Sequence, residues 1–249
     1  MIQRLRQLTP MQGCQLWLAD LDAPCAPHEF DCLSADELAR AKRFTFARHR
    51  DRFLAGRAAL RQLVARRTGQ PPEVLAFDYG AHGKPFLRGA SGPAFNMSHS
   101  EGIGLIALDD EDREATPGAI GVDVELLRTL PDAPELAAAN FEPEECETLI
   151  QLCEPARSQA FLIGWTRKEA CLKALGSGFS SPTRLATGLA MDARSVAWKL
   201  GAAGATHRAS LLSFELPGHL AVAALARLQS STNDMHALSA ATAASAFIS

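Results

Sequence analysis

Ile120-Gly-Val-Asp-Val-Glu125, read together with Trp165-Thr-Arg-Lys-Glu-Ala-Cys-Leu-Lys173, decides how this chain folds and where its chemistry sits. In the first stretch β-branched residues alternate with acids, which predicts a strand. Side chains two apart on a strand share a face, so Asp123 and Glu125 present their carboxylates side by side. The second stretch predicts a helix, on which positions four apart stand above one another. Trp165, Glu169 and Lys173 therefore share a face. If that face packs near the acidic side of the strand, three carboxylates and an ammonium converge. Hard oxygen ligands without His or Cys suit Mg²⁺, which takes few protein carboxylates and keeps positions for water and phosphate oxygens. Taken alone, an Asp-x-Glu pair is more often a solvated strand face, and a Glu–Lys pair a surface ion pair. The surrounding chain has to supply the context.

The 249 residues are enough for one large domain or two small ones. A content of 47% hydrophobic and 21% charged residues is that of an ordinary globular protein, and a net charge of −3 gives no global attraction to nucleic acid or membrane. Met1 to Asp20 has no apolar core of signal-peptide length, and no run approaches a membrane span, so a cytoplasmic protein is expected. Cys14, Cys25, Cys32, Cys146, Cys153 and Cys171 show no metal-binding spacing and read as reduced thiols.

Upstream of the acidic strand, Gln15–Ala19 predicts a first strand. Ser34-Ala-Asp-Glu37 is a capping box that opens a helix toward Phe44. A second helix is predicted from about Arg48 to Arg67, stopped by Gly69 and Pro71-Pro72. Arg40, Lys42, Arg43, Arg48, Arg50, Arg52, Arg57, Arg61, Arg66 and Arg67 crowd this region, with Asp51 the only acid among them. Most of them read as a solvated helix face, and some as an anion site. Next come a Gly-punctuated turn at Tyr79–Pro85, the polar cluster Asn96-Met-Ser-His-Ser100 and the apolar strand Gly102–Leu108. Ser98 and His99 are candidate donors of a phosphate cradle.

The polar stretch Asp109–Gly118 divides the chain into residues 1–116 and 117–228. In the second part, Pro131–Pro143 reads as a connection, and helices follow near Phe141–Cys153 and around Trp165. Strands are predicted at 197–200, 209–216 and 219–225, the last two joined at Pro217-Gly218. Residues 229–249, rich in Ser, Ala and Thr, read as a flexible tail. Both parts place strands around helices and close on an apolar strand, a coarse internal duplication. A ligand between them would meet both the basic cluster and the carboxylates.

Gly83-Lys84-Pro85, Phe95–Ser100, Gly121–Glu125 and Trp165–Lys173, in that order, resemble the 4′-phosphopantetheinyl transferases, specifically the larger, monomeric, surfactin-synthetase-activating type. The likeness runs from about Ser34 to Phe179. It implies an α+β fold of two similar halves about a pseudo-twofold axis. It implies transfer of the phosphopantetheine arm of coenzyme A to a serine of an acyl, peptidyl or aryl carrier protein, with 3′,5′-ADP released and Mg²⁺, or Mn²⁺ in its place, as the metal. The implied metal ligands are Asp123, Glu125 and Glu169. Glu169 is also the implied base, and Lys173 stands near the phosphates. Ser98, His99, Lys84 and Asp123 are the implied coenzyme contacts, with Arg52 and Arg40 around the 3′-phosphate. Glu37 departs from the pattern, since some relatives are basic there. Two other readings stand beside this one: a Mg²⁺-dependent phosphodiesterase acting on coenzyme A or a nucleotide, and a non-catalytic carrier-protein-binding module. No nucleic-acid or membrane partner is expected.

Overall fold

Two long helices each cover the outer face of a four-stranded antiparallel sheet, and the inner faces of the two sheets meet. This architecture comes from a computed structural model describing residues 4–89, 92–109, 120–176, 185–199 and 206–229. In chain order the elements are β1 (Leu5–Gln7), β2 (Cys14–Asp20), α1 (Ala35–Ala41), α2 (Ala47–Thr68), β3 (Phe77–Tyr79), β4 (Pro85–Leu87), β5 (Phe95–Ser100), β6 (Ile103–Asp109), β7 (Ile120–Leu126), α3 (Ala133–Asn140), α4 (Pro143–Ile150), α5 (Ala156–Leu175), β8 (Ala193–Lys199), β9 (Thr206–Glu215) and β10 (Ala221–Leu228). One sheet has the order β1-β2-β6-β5 and the other β7-β10-β9-β8, while β3 and β4 form a separate hairpin. The chain is α+β in two similar halves, as its pattern implies.

Alternation along the strands builds the layers. Leu16 and Leu18 of β2, Ile103 and Leu105 of β6, Val122 and Val124 of β7, and Ala223 and Leu225 of β10 share the core between the sheets. The opposite face of the first sheet offers Ala19, Ile106 and Leu108 to Ala59, Leu60 and Leu63 of α2. The opposite face of the second sheet offers Ala209, Leu211 and Ala224 to Ala170, Cys171 and Ala174 of α5. Each long helix ends on a glycine in the left-handed conformation, Gly69 at φ 68° and Gly176 at φ 73°. Ser34 caps α1 through the reciprocal pair with Glu37.

Several expected boundaries move. Strand β1 precedes the first predicted strand and pairs with it through Leu5, Arg6 and Gln7. The connection expected between Pro131 and Pro143 contains helix α3, whose Ala133 and Ala137 are fully buried. Apolar positions four apart had been masked there by the flanking prolines. The division at 116/117 lies outside the described residues, as does all of the expected tail except Gln229.

The layers come close together at Gly121 of β7. A Cβ there would overlap the Ala170 carbonyl and the Ala174 amide of α5, both of them backbone. Rigid backbone cannot yield as a side-chain end can. Gly121→Ala is therefore expected to cost about 3 kcal/mol, which for a chain of this size lowers Tm by about 10 °C. Thermal unfolding checks this; an unchanged Tm would mean that α5 does not lie this close to β7.

Candidate active site

Beyond Gly121, the same face of β7 continues with Asp123 and then Glu125. Since α5 lies directly over that face, its Glu169–Lys173 stretch meets them. Asp123 is buried, and its Oδ1 accepts from Lys173 Nζ at 2.6 Å and from Ser98 Oγ at 2.7 Å. Lys173 Nζ also donates to Ser98 Oγ at 2.9 Å, closing a three-membered knot across β5, β7 and α5. Asp123 Oδ2 is buried without a partner, and so is Glu169 Oε1. Burial raises the Asp123 pKa, against the pull of Lys173 and Ser98. Burial pushes Glu169 up to about 7, opposed by Lys173 and reinforced by Asp123. A cation bound between the two carboxylates would lower both values again.

The expected meeting of three carboxylates at one point is not found. Glu125 Oε2 accepts from Ser100 Oγ at 2.9 Å and from Arg128 Nη1 at 3.0 Å, which turns it toward the exposed end of the strand. Among the described residues no group of three His, Cys, Asp or Glu side chains is arranged to hold a metal. Among the described residues, Asp123 Oδ2 and Glu169 Oε1 are the buried carboxylate oxygens without a partner.

Strand β5 gives Asn96 and Ser100 roles that the motif alone does not assign, beside Ser98. Asn96, Ser98 and Ser100 alternate onto one face, toward β7. Asn96 Oδ1 accepts from the Val122 amide at 2.9 Å, and Ser100 Oγ from the Leu126 amide at 3.2 Å. The two sheet edges are thus joined by side chains in register. His99 lies on the opposite face, so it and Ser98 would approach a ligand from different sides of the strand. Its ring is exposed, and partial desolvation and the charges of Lys173 and Arg52 lower its pKa.

The basic residues of α2 are more committed than a solvated face would be. Arg57 Nε and Arg61 Nε donate to the two oxygens of buried Glu37 at 2.6 and 2.7 Å. Glu37 is therefore a structural partner of α2, which explains an acid at that position. Burial would raise its pKa, but Arg57, the Ser34 amide and Arg61 overcome this and lower it. Arg52 is buried and paired with Asp22 and Glu101. Arg40 is exposed, with its guanidinium 5.3 Å from the Phe53 ring centroid. Beside Arg52 opens a cleft of about 630 Å³, lined by Arg48, Asp22 and Glu101 from the first half and by Leu126 and His219 from the second.

Lys84 also differs from expectation. Its Nζ donates to Ile120 O at 2.8 Å and to Ala174 O at 3.2 Å. The hairpin lysine of the first half thus clasps the start of β7 and the C-terminal turn of α5, where unpaired carbonyls attract a cation. These two carbonyls take two of the three donors of its ammonium, so a phosphate contact would have to use the third.

Residues 119–220 match the model of the 4′-phosphopantetheinyl transferase superfamily, and residues 26–110 match that of the N-terminal part of a 4′-phosphopantetheinyl transferase. The 4′-phosphopantetheinyl transferase HetI of Nostoc sp. is 41% identical over 170 residues, 66% of this chain and 69% of the relative. The chain belongs to the 4′-phosphopantetheinyl transferase family. A Synechocystis protein whose name carries the same transferase is 40% identical over 67% of this chain and 66% of its own length. A 4′-phosphopantetheinyl transferase of Bacillus subtilis is 27% identical over 65% and 70%. The family is one of enzymes that use coenzyme A to place phosphopantetheine on carrier proteins, and both halves of the fold carry its signature. No helix among the described residues is long and apolar enough to cross a membrane.

The clasp of this transferase has a pH signature. Burial holds Lys84 down to about 7. Between about 7 and the ordinary lysine value the unfolded chain binds one proton more than the folded one, so stability rises with pH across that window. Lys84→Met removes this dependence. The stability of the wild type relative to Lys84→Met is expected to grow between about pH 7 and about pH 10, as urea unfolding at the two values measures. A constant difference would place the lysine in water.

Proposed function

We propose that this chain transfers 4′-phosphopantetheine from coenzyme A to a serine hydroxyl of an acyl or peptidyl carrier protein, with the Asp123–Ser98–Lys173 knot and Glu169 at the reacting centre. One observation carries the reading: two buried carboxylate oxygens, Asp123 Oδ2 and Glu169 Oε1, have no hydrogen-bond donor. Buried acceptors are ordinarily paired, so a pair of orphans asks for a positive ligand. Hard carboxylate oxygens without His or Cys fit Mg²⁺, or Mn²⁺ in its place, held by Asp123 and Glu169 with Glu125 at the rim. When bound, such an ion neutralises charge on the pyrophosphate oxygens.

The chain's own residues supply the remainder. The serine oxygen forms a bond to the β-phosphorus, the bond to the 3′,5′-ADP oxygen breaks, and the serine proton passes to Glu169. General-base help of this kind adds about 10²–10⁴-fold. Lys173 shifts its ammonium between Asp123 and the phosphate and so meets the developing charge. Arg52, which lines the cleft, is the candidate contact for the adenosine 3′-phosphate, with Arg40 and His99 as further candidates. Hydrolysis and purely passive binding are not what this family does. The centre takes residues from both halves of one chain, which supports a monomeric enzyme. Six free cysteines suit a reducing cytoplasm.

Incubation with coenzyme A, Mg²⁺ and several carrier proteins, followed by intact-mass analysis, is expected to add one phosphopantetheine to a carrier serine. Release of 3′,5′-ADP without a carrier would instead indicate a hydrolase. Glu169→Gln separates base from ligand. It is expected to retain a kcat deficit of about 10²-fold or more at saturating Mg²⁺. Full recovery of kcat with added metal would leave Glu169 as a ligand alone.

A further inference from the structure

The anion site at Arg52 is already filled by carboxylates of the chain itself. Asp22 takes the fork side-on, its Oδ1 accepting from Arg52 Nε at 2.7 Å and its Oδ2 from Nη2 at 2.7 Å. Only Nη1 is left for a ligand, and Glu101 Oε2 accepts from it at 2.6 Å. Arg48 Nη2 stands 3.6 Å from Asp22 and 3.8 Å from Glu101 and is itself largely exposed. The lining of the cleft therefore sets Asp20, Asp22 and Glu101 against Arg48 and Arg52, and a phosphate entering it meets no surplus of positive charge.

The two carboxylates differ in how firmly they are held. Asp22 is fixed: the Asp22 and Ala23 amides donate to Asp20 Oδ1, and its carboxylate rests against Gly102, where any Cβ would overlap it. Glu101 sits at the tip of the β5–β6 hairpin, with its side chain 61% exposed and its backbone at φ 50°, a left-handed conformation uncommon outside glycine. With Ser100 paired to Ile103, Glu101 and Gly102 form a two-residue hairpin loop, whose favoured turns need a positive φ at its first residue. The turn places the carboxylate on Arg52 Nη1, and both residues line the cleft.

We infer that Glu101 is a specificity-determining plug, an internal anion that the 3′-phosphate of the coenzyme must displace from Arg52 Nη1, so that this chain favours the phosphate-bearing coenzyme less than an unplugged Arg52 would. This deepens the coenzyme A reading of the cleft and rests on it. The displaced carboxylate swings toward solvent, while Asp22 keeps the guanidinium in place. A ligand lacking the 3′-phosphate has no need to move Glu101.

Calorimetric titration of adenosine 3′,5′-bisphosphate and adenosine 5′-monophosphate into wild type and Glu101→Gln tests the plug without turnover. The variant is expected to bind the bisphosphate about three- to tenfold more tightly than wild type at low salt, with the gain shrinking as salt rises and the monophosphate unchanged. Weaker or unchanged bisphosphate binding in Glu101→Gln overturns the plug, as does an equal gain for both nucleotides. Arg52→Ala is expected to erase the gain when combined with Glu101→Gln; persistence of the gain puts the phosphate elsewhere and also overturns it. The carrier-modification assay on the wild type reports separately on the transfer reaction. A protein that binds the bisphosphate as expected but modifies no carrier would reject the transfer while leaving the plug standing.

Discussion

Backbone against backbone at Gly121 is the constraint on which the arrangement depends. With no side chain between them, α5 comes down onto β7 until the Ala170 carbonyl and Ala174 amide touch the strand. Two residues on, the same strand face carries Asp123, and three residues after Ala170 the helix carries Lys173, which lands 2.6 Å from it. A bulkier residue at position 121 would lift the helix and stretch a charge-assisted bond whose strength falls steeply with distance. The chemistry of the second half is thus set by a packing decision rather than by the charged residues themselves.

A second dependence runs along the seam between the sheets. Strands β5 and β7 each end a ladder, and in place of further backbone pairing they present Asn96, Ser98 and Ser100 to Val122, Asp123, Glu125 and Leu126. Short polar side chains here satisfy edge amides while also orienting two carboxylates. Lys84 adds a clasp from the first half onto the second. The reacting groups therefore exist as a constellation only when both halves are folded and docked.

Much of this was legible from spacing. The i, i+2 acids of β7 and the i, i+4 pair of α5 follow directly from strand and helix periods, and the Ser34–Glu37 box marked its helix start. The capping residue Glu37 was legible as a cap but not as the partner of Arg57 and Arg61, because twenty and more residues separate them and only tertiary packing joins them. The same holds for Asp22 and Glu101 at Arg52. A run of ten basic residues looked like an unneutralised field because its acids lie elsewhere in the chain. Ser98 and His99, adjacent in sequence, were read as a pair although strand geometry sends them to opposite faces; the alternation Asn96, Ser98, Ser100 was the signal that could have corrected this.

The sheet order carries a further consequence, for colloidal behaviour. Four strands end the two sheets, and an unpaired edge is a template on which another chain can add a strand. The seam hides two of those edges, β5 and β7, against each other. Among the described residues the remaining ends are β1, only three residues long, and β8, which places Arg194 and Lys199 along its edge. Short length and positive charge are both deterrents to edge-to-edge association. By sharing one polar interface between its reacting groups and its most extended edges, the chain protects itself from polymerising through the same strands that do its chemistry.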